Sequence, residues 1–130
     1  MKIKRLKDSE VQKIKREILG KQYELSFAFI SKNKIKELNK KYRQIDEPTD
    51  VLSFQLEKNL PDGKAGVGEI LICRSLAKIK APKFGMTFPD YLLFLVIHAV
   101  LHLKGLVHGD KMERHELTYH SRYRRRNLRG

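Results

Sequence analysis

The sequence predicts a single α+β domain in which a mixed four-stranded β-sheet packs with about five helices. Two observations predict this class. Short segments with alternating apolar residues are interleaved with segments whose apolar residues recur at helical spacing. The chain has 130 residues and is 41% hydrophobic, which suits one buried core and not two. We therefore expect residues 1–130 to form one domain, with mostly parallel strands and one antiparallel strand.

The first half of the chain predicts strands and helices in alternation. Residues 1–6 and 23–29 alternate apolar and polar positions, as strands do. Asp8 is placed to cap a helix that ends at Gly20, and Ser31 to cap a second helix. The apolar residues at helical spacing are Val11, Ile14 and Ile18 in the first helix and Ile35, Leu38 and Tyr42 in the second. Connections long enough to hold a helix favour parallel pairing of these first strands.

The second half predicts a hairpin followed by helices. Residues 51–56 and 67–73 are predicted strands, and the loop that joins them is short enough for antiparallel pairing. A short helix begins at Ser75. Thr87 then caps a long helix that ends at Gly105, and because this helix is apolar all round we expect it to be central and buried. A last, basic helix is predicted over residues 112–126.

Charge and cysteine content narrow the functional classes. Lys and Arg number 28 against 15 for Asp and Glu, and the net charge of +13 favours a polyanionic partner, in most cases nucleic acid. No apolar run approaches the ~20 residues of a membrane span, and acidic residues follow the basic N-terminus where a signal peptide would be apolar. Cys73 is the one cysteine and is predicted to be a small core residue. We expect a cytoplasmic protein without a membrane partner.

Three histidines are spaced as metal ligands. His98 and His102 are four residues apart on one face of the central helix, and His108 lies three residues beyond the helix break at Gly105. Such a set places three imidazoles around a tetrahedral metal and leaves one position open. A histidine pair at this spacing is more often packing or surface, but two imidazoles in a core helix need partners that a metal supplies. Imidazole ligands suit zinc, nickel, copper and iron.

The same spacing occurs in zinc proteases. Those enzymes carry a glutamate directly after the first histidine as the general base, and this chain has Ala99 there. A peptidase is therefore disfavoured.

With these residues the chain resembles the YbeY family of bacterial endoribonucleases. The resemblance covers residues 38–110 in the family's order. The histidine motif is one part, and the others are Leu38-Asn39 with Tyr42-Arg43, Asp46 and Pro48-Thr49-Asp50-Val51-Leu52-Ser53-Phe54, then Gly68-Glu69-Ile70 with Ile72-Cys73.

The resemblance implies a metal-dependent, single-strand-specific endoribonuclease that acts in 16S rRNA maturation at the 3′ end and in ribosome quality control. It implies that His98, His102 and His108 hold one catalytic metal per chain, usually zinc, and that Arg43 is the functional arginine. RNA and the small ribosomal subunit are the implied partners. The chain departs from the family at Val107, where an acidic residue is usual and for which Asp110 is a possible substitute. It departs again over residues 119–129, which are basic rather than acidic.

The chemistry leaves some roles open. A metal with an open position can acidify a water molecule and polarise a phosphoryl oxygen, and Arg43 can grip a non-bridging oxygen. Glu69 and Asp50 are general-base candidates to which we assign no role, because either can be structural. The nucleophile is water or the 2′-hydroxyl of the RNA.

The C-terminal region is the densest run of positive charge. Candidate contacts to the RNA backbone are Arg124, Arg125 and Arg126. The alternative, which is equally supported by the sequence, is that these arginines form a solvated helix face. Tyr119 and Tyr123 either stack on bases or pack in the core, and His115 and His120 are predicted to be surface residues. No phosphate-loop or dinucleotide motif is present in the sequence, so no nucleotide cofactor is expected.

Two other functions compete with the leading one. The chain could be a basic ribosome-associated RNA-binding protein with a structural metal, although structural zinc sites are normally closed and rich in cysteine. It could also be a metallohydrolase of another substrate, such as a peptide.

Overall fold

The computed structural model describes residues 8–57, 66–105 and 109–129, with only the backbone for residues 110 and 125–129. Within these ranges the chain forms five helices, three strands and one 3-10 turn. In order along the chain these are α1 (Asp8–Ile18), β1 (Glu24–Phe29), α2 (Lys32–Arg43), β2 (Val51–Glu57), β3 (Val67–Ile72), α3 (Arg74–Lys80), the 3-10 turn (Ala81–Phe84), α4 (Phe88–Lys104) and α5 (Asp110–Arg129).

The described sheet has three strands in the order β1-β3-β2. β1 pairs with β3 in parallel, and β2 pairs with β3 antiparallel. The predicted sheet of four mostly parallel strands is therefore wrong for the described residues, which hold one parallel and one antiparallel pair. The predicted strand at residues 1–6 lies outside the described residues.

β3 occupies the centre of this sheet because its side chains are the most apolar on both faces. Ile70 and Ile72 are fully buried on one face, and Leu71 is buried on the other. The antiparallel hairpin of β2 and β3 is confirmed, but it places β3 between β1 and β2. The expected parallel pairing of the first strands therefore does not extend to β1 and β2, since a helix-length connection permits parallel pairing without requiring it.

α4 is the central helix, as predicted. Thr87 caps it by accepting a hydrogen bond from the Asp90 backbone N–H, and Gly105 ends it with a φ of 104°. The Gly105 N–H bonds to carbonyls of the last turn, and this left-handed conformation favours glycine. α4 packs on β2 and β3 of the sheet and on α1 and α5 of the helical layer. These contacts cover nearly every side of a helix that has apolar residues all round.

The opposite face of the sheet carries a smaller apolar cluster under α2. Ile35 of α2 is fully buried there against Leu52 of β2 and Cys73, which confirms the prediction that Cys73 is a core residue. Ser31 caps α2 as expected, through a 3.1 Å hydrogen bond from the Lys34 backbone N–H. α2 thereby brings its last residue, Arg43, to β2.

Other helix bounds differ slightly from the sequence prediction. α3 begins one residue before Ser75, and α5 extends beyond the predicted range of residues 112–126 at both ends. Among the described residues no single helix is long and apolar enough to cross a membrane. The pair Arg74–Phe84 and Phe88–Lys104, bent by 103°, meets the length and composition requirements only when taken together.

A buried carboxylate joins α4 to the beginning of β2. Asp50 is 5% exposed, accepts a 2.6 Å hydrogen bond from the Tyr91 hydroxyl, and lies 3.7 Å from the Lys80 ammonium. Burial, followed by the hydrogen bond to Asp50, raises the pKa of the Tyr91 phenol well above its usual range. The phenol therefore stays protonated and continues to donate to Asp50 in moderately alkaline solution. The role of Asp50 in this structure is to fix α4 against the sheet.

We expect Tyr91→Phe to lower the free energy of unfolding by about 1–3 kcal/mol, because a buried carboxylate loses a donor while the ring is kept. Urea denaturation followed by circular dichroism measures the change. Tyr42→Phe is the matched control, since Tyr42 is 54% exposed. Equal stabilities of the wild type and Tyr91→Phe would show that Lys80 and solvent satisfy Asp50 without the phenol.

Candidate functional site

Two of the predicted metal ligands meet on α4. The Nε2 atoms of His98 and His102 lie 3.1 Å apart, and the ring centroids are 4.6 Å apart. Both side chains are half-buried, in contrast to the fully buried residues around them. The i, i+4 spacing of α4 therefore aims both imidazole edges at one point that is open to solvent.

A carboxylate from α5 fixes the orientation of the first histidine. The Nδ1 atom of His98 lies 2.7 Å from Oε1 of Glu116, whose side chain is only 9% exposed. A carboxylate accepts at this distance, so the His98 Nδ1–H donates. The neutral ring then has a lone pair on Nε2, the atom that faces His102. Carboxylates in this position orient metal-binding histidines in many zinc proteins.

The two histidines fit a tetrahedral metal. With metal–nitrogen distances of about 2.05 Å, two imidazole nitrogens of a tetrahedral site are separated by about 3.3 Å, close to the 3.1 Å between Nε2 atoms here. The third predicted ligand, His108, lies outside the described residues. In the ranges that the structure describes, no group of three histidine, cysteine or carboxylate side chains is assembled for a metal.

The histidine pair faces the β2 side of the molecule. Tyr91, His98 and His102 follow one another at i, i+7 and i+11, so they form one stripe along α4. The Tyr91 hydroxyl reaches Asp50 at the beginning of β2, and this contact fixes the direction of the stripe. Glu116 borders the stripe from α5. The site therefore lies on the side of α4 between α5 and β2, a surface that we call the cleft.

Arg43 lies on β2, which borders this side of α4. Its Nη2 atom donates a 2.8 Å hydrogen bond to the Ser53 carbonyl oxygen, and its guanidinium lies 5.7 Å from the centre of the Phe54 ring. β2 is the outer strand of the described sheet, so Arg43 occupies the free edge of that strand. The guanidinium has five N–H groups, and donors beyond the one bonded to Ser53 remain for a ligand.

The height of Arg43 along the cleft follows from two contacts. Near the beginning of both elements, Tyr91 of α4 bonds to Asp50, which directly precedes β2. Near the end of both, Leu103 of α4 lies next to Gly68: a Cβ on that glycine would be 3.1 Å from the Leu103 side chain. Gly68 pairs with Gln55 of β2. α4 and β2 therefore run in the same direction. Ser53 lies between these two levels, so Arg43 is bound to β2 at about the level of the middle of α4.

The two general-base candidates lie away from this cleft. Glu69 follows Gly68 and precedes Ile70, and these neighbours face α4, so the Glu69 side chain is on the opposite face of the sheet. There it accepts a long, 3.5 Å hydrogen bond from Ser26. The Asp50 carboxylate is already bonded to the Tyr91 hydroxyl and paired with Lys80. The side chain of Asp110 is not described.

The basic α5 is tied to the core by ion pairs. Arg124 Nε lies 3.0 Å from a carboxylate oxygen of Asp90, and Arg122 and Tyr123 both bond to Glu17 of α1. Tyr123 is buried, so core packing is the correct alternative for that residue. The side chains of Arg125 and Arg126 lie outside the description.

The remaining histidines are both half-buried, so the prediction that they are surface residues is only partly correct. His120 Nε2 lies 3.1 Å from the Asp90 carbonyl oxygen and its ring contacts Phe94. His115 stacks with Tyr119 and lines a cavity of about 320 Å³ with Lys111, Arg114 and Thr118.

Glu116 is the site residue that the sequence analysis missed. It stands in a helix dominated by basic residues and belongs to none of the motifs. A weak signal exists, because Met112, Glu116 and Tyr123 share one face of α5 at i, i+4 and i+11, and both apolar members are buried. A carboxylate on a face that packs against a core helix needs a partner, and His98 supplies it.

Comparisons with known proteins identify the family of the chain. A family model described as Endoribonuclease YbeY matches residues 2–127. The chain is 38% identical over 108 residues to the Endoribonuclease YbeY of Staphylococcus carnosus, covering 79% of this chain and 71% of that protein. It is 35% identical over 120 residues to that of Clostridium botulinum (strain Hall), covering 78% and 72%.

A solved structure is similar as well. The solution structure of TM1509 from Thermotoga maritima has a TM-score of 0.59 and 32% sequence identity, and the match covers 86% of this chain and 75% of that one. These findings confirm the family resemblance inferred from the sequence motifs. The chain belongs to the Endoribonuclease YbeY family.

Proposed function

We propose that this protein is a metal-dependent endoribonuclease that cleaves single-stranded RNA in the cleft between α5 and β2. The observation that carries the proposal is the convergence of the His98 and His102 Nε2 atoms at 3.1 Å, with Glu116 bonded to the far nitrogen of His98. Names of the relatives support the activity, since they are endoribonucleases. The net charge of +13 suits an RNA substrate.

His98 and His102, together with His108, would hold the metal, most suitably zinc at one ion per chain. When bound, such an ion supplies Lewis acidity for a phosphoryl oxygen and lowers the pKa of a water molecule. Glu116 holds the His98 ring in the tautomer that leaves Nε2 free. Because Glu116 is buried, it orients the ring without competing for a place beside the substrate.

Arg43 would bind the phosphate that is cleaved. The Ser53 carbonyl anchors one Nη atom, so the guanidinium is held in place before the substrate arrives. Its remaining donors are directed to a non-bridging phosphate oxygen, where they position the phosphate and stabilise charge that develops in the transition state. Arg43 and the histidines therefore act from opposite walls of the cleft.

The finer assignment is ribosomal RNA of the small subunit, including maturation of the 16S 3′ end, in the cytoplasm. Family membership supports it, and the basic α5 is suited to an RNA-rich particle. Arg124 is 54% exposed and can contact a phosphate while it is paired with Asp90; Arg125 and Arg126 stay candidates for the same role. A ribosome-associated binding protein with a structural metal is the alternative that the experiments below separate from an enzyme.

Glu116→Gln is expected to weaken metal binding by about 10- to 100-fold, because the amide is a poorer acceptor for the His98 Nδ1–H. Competition with a chromophoric chelator measures the dissociation constant. Glu113→Gln, one turn earlier on α5 and exposed, is the matched control and should bind as the wild type does. An unchanged affinity in Glu116→Gln would remove Glu116 from the metal site.

His102→Ala should lose both the metal and RNA cleavage, because one of the two converging nitrogens is removed. Elemental analysis and cleavage of a labelled single-stranded RNA measure the two losses. His115→Ala removes a half-buried histidine of α5 and should keep both properties. Cleavage that persists after complete metal loss would contradict the mechanism. A wild type that binds metal and RNA without cleaving would favour the structural-metal alternative.

Arg43→Ala should reduce cleavage by about 100-fold or more with the metal content unchanged, as expected for loss of a donor that stabilises transition-state charge. Cleavage rates and elemental analysis are the measurements. Lys41→Ala, an exposed cation in the same last turn of α2, should cleave normally. Simultaneous loss of the metal in Arg43→Ala would refute the separation of roles between Arg43 and the histidines.

A further inference from the structure

A row of aromatic rings runs along the cleft and ends at the histidine pair. Phe84, in the 3-10 turn, stacks on Tyr91 with ring centroids 5.5 Å apart and planes 17° apart. Tyr91 stacks on Phe94 at 6.2 Å, and Phe94 lies 6.1 Å from His98. The stripe of α4 that carries the proposed metal ligands is therefore continued by aromatic rings to the opposite end of the helix.

The outer end of this row is exposed. Tyr91 is buried, whereas Phe84 is 60% exposed although it is among the largest apolar side chains in the protein. The near-parallel stack on Tyr91 orients the Phe84 ring, with one face toward Tyr91. Most of the ring stays accessible to solvent, so a second flat group can stack on it.

Positive side chains lie near the exposed end of the row. Arg124 of α5 is fixed by its contact with Asp90 at the beginning of α4. Lys80 and Lys83 belong to α3 and to the 3-10 turn that carries Phe84, and the Lys80 side chain is 42% exposed. An exposed flat ring close to cations is a combination that binds single-stranded nucleic acid, since a base stacks on the ring and phosphates pair with the cations.

We propose that Phe84, at the exposed end of the aromatic row that leads to His98, is a base-stacking platform for single-stranded RNA. This proposal rests on the endoribonuclease function proposed above. Three steps of 5.5 to 6.2 Å between ring centroids separate Phe84 from His98. A base stacked on Phe84 is therefore several nucleotides away from the phosphate that Arg43 binds.

The test is a binding measurement that does not depend on cleavage. Fluorescence anisotropy gives two dissociation constants. One is for a labelled 2′-O-methyl oligouridine of eight nucleotides, and the other is for an abasic oligonucleotide of the same length. Phe84→Ala should weaken binding of the base-bearing oligonucleotide by about 5- to 100-fold and leave the abasic one unchanged. Phe84→Tyr should restore binding, and Phe84→Leu should not, because only the aromatic ring stacks.

Controls separate stacking from other causes. Ile79→Ala removes an apolar side chain of similar exposure, 57% against 60%, that is no part of the row and should bind both oligonucleotides as the wild type does. The salt dependence of binding should be equal in the wild type and Phe84→Ala, because no phosphate contact is lost.

Three outcomes would overturn the proposal: equal weakening for both oligonucleotides, full binding by Phe84→Leu, or no effect of Phe84→Ala. The last would leave a protein partner as the occupant of the exposed ring. Failure of the endoribonuclease proposal is seen separately, as a wild type that binds the base-bearing oligonucleotide and does not cleave RNA.

Discussion

The burial of α4 is the constraint on which the rest of the structure depends. A helix with apolar residues on nearly all sides must be covered by a sheet on one side and by helices on the others. Here β2 and β3 form the sheet side, and α1 and α5 complete the cover. Among the described residues from Tyr91 to Leu103, the helix is less than fully buried at Phe94, His98, His102 and Leu103. The histidine pair therefore lies where the cover over α4 is incomplete. The packing around α4 therefore both stabilises the fold and determines where the site lies.

Local signals in the sequence predicted the helices well, and non-local relations were harder. Thr87 and Gly105 bound α4 because a side-chain cap and a left-handed residue act within a few positions of each other. The strand order could not be predicted in the same way, since β3 lies between β1 and β2 through contacts that span the chain. The spacing of His98 and His102 predicted their convergence, whereas Glu116 required knowledge of how α5 docks.

The excess positive charge is less free than the composition indicates. On α5, Arg122 and Arg124 are paired with Glu17 and Asp90, so part of the basic run serves to dock this helix on α1 and α4. The two acidic partners, Glu17 of α1 and Asp90 of α4, each hold α5 against another helix. The docking in turn delivers Glu116 to His98. The basic residues of α5, which the sequence indicates as an RNA-binding segment, therefore also help to position the metal-binding side of the cleft.

The hydrogen bond from Arg43 to the Ser53 carbonyl has a consequence for how copies of the protein behave toward each other. An outer β-strand with unpaired backbone groups can add a strand from another molecule, and bulky charged side chains along such an edge oppose that addition. Arg43 blocks one acceptor of β2 and places a positive charge beside it. The residue proposed to bind the substrate phosphate therefore also opposes the addition of a further strand at this position of β2.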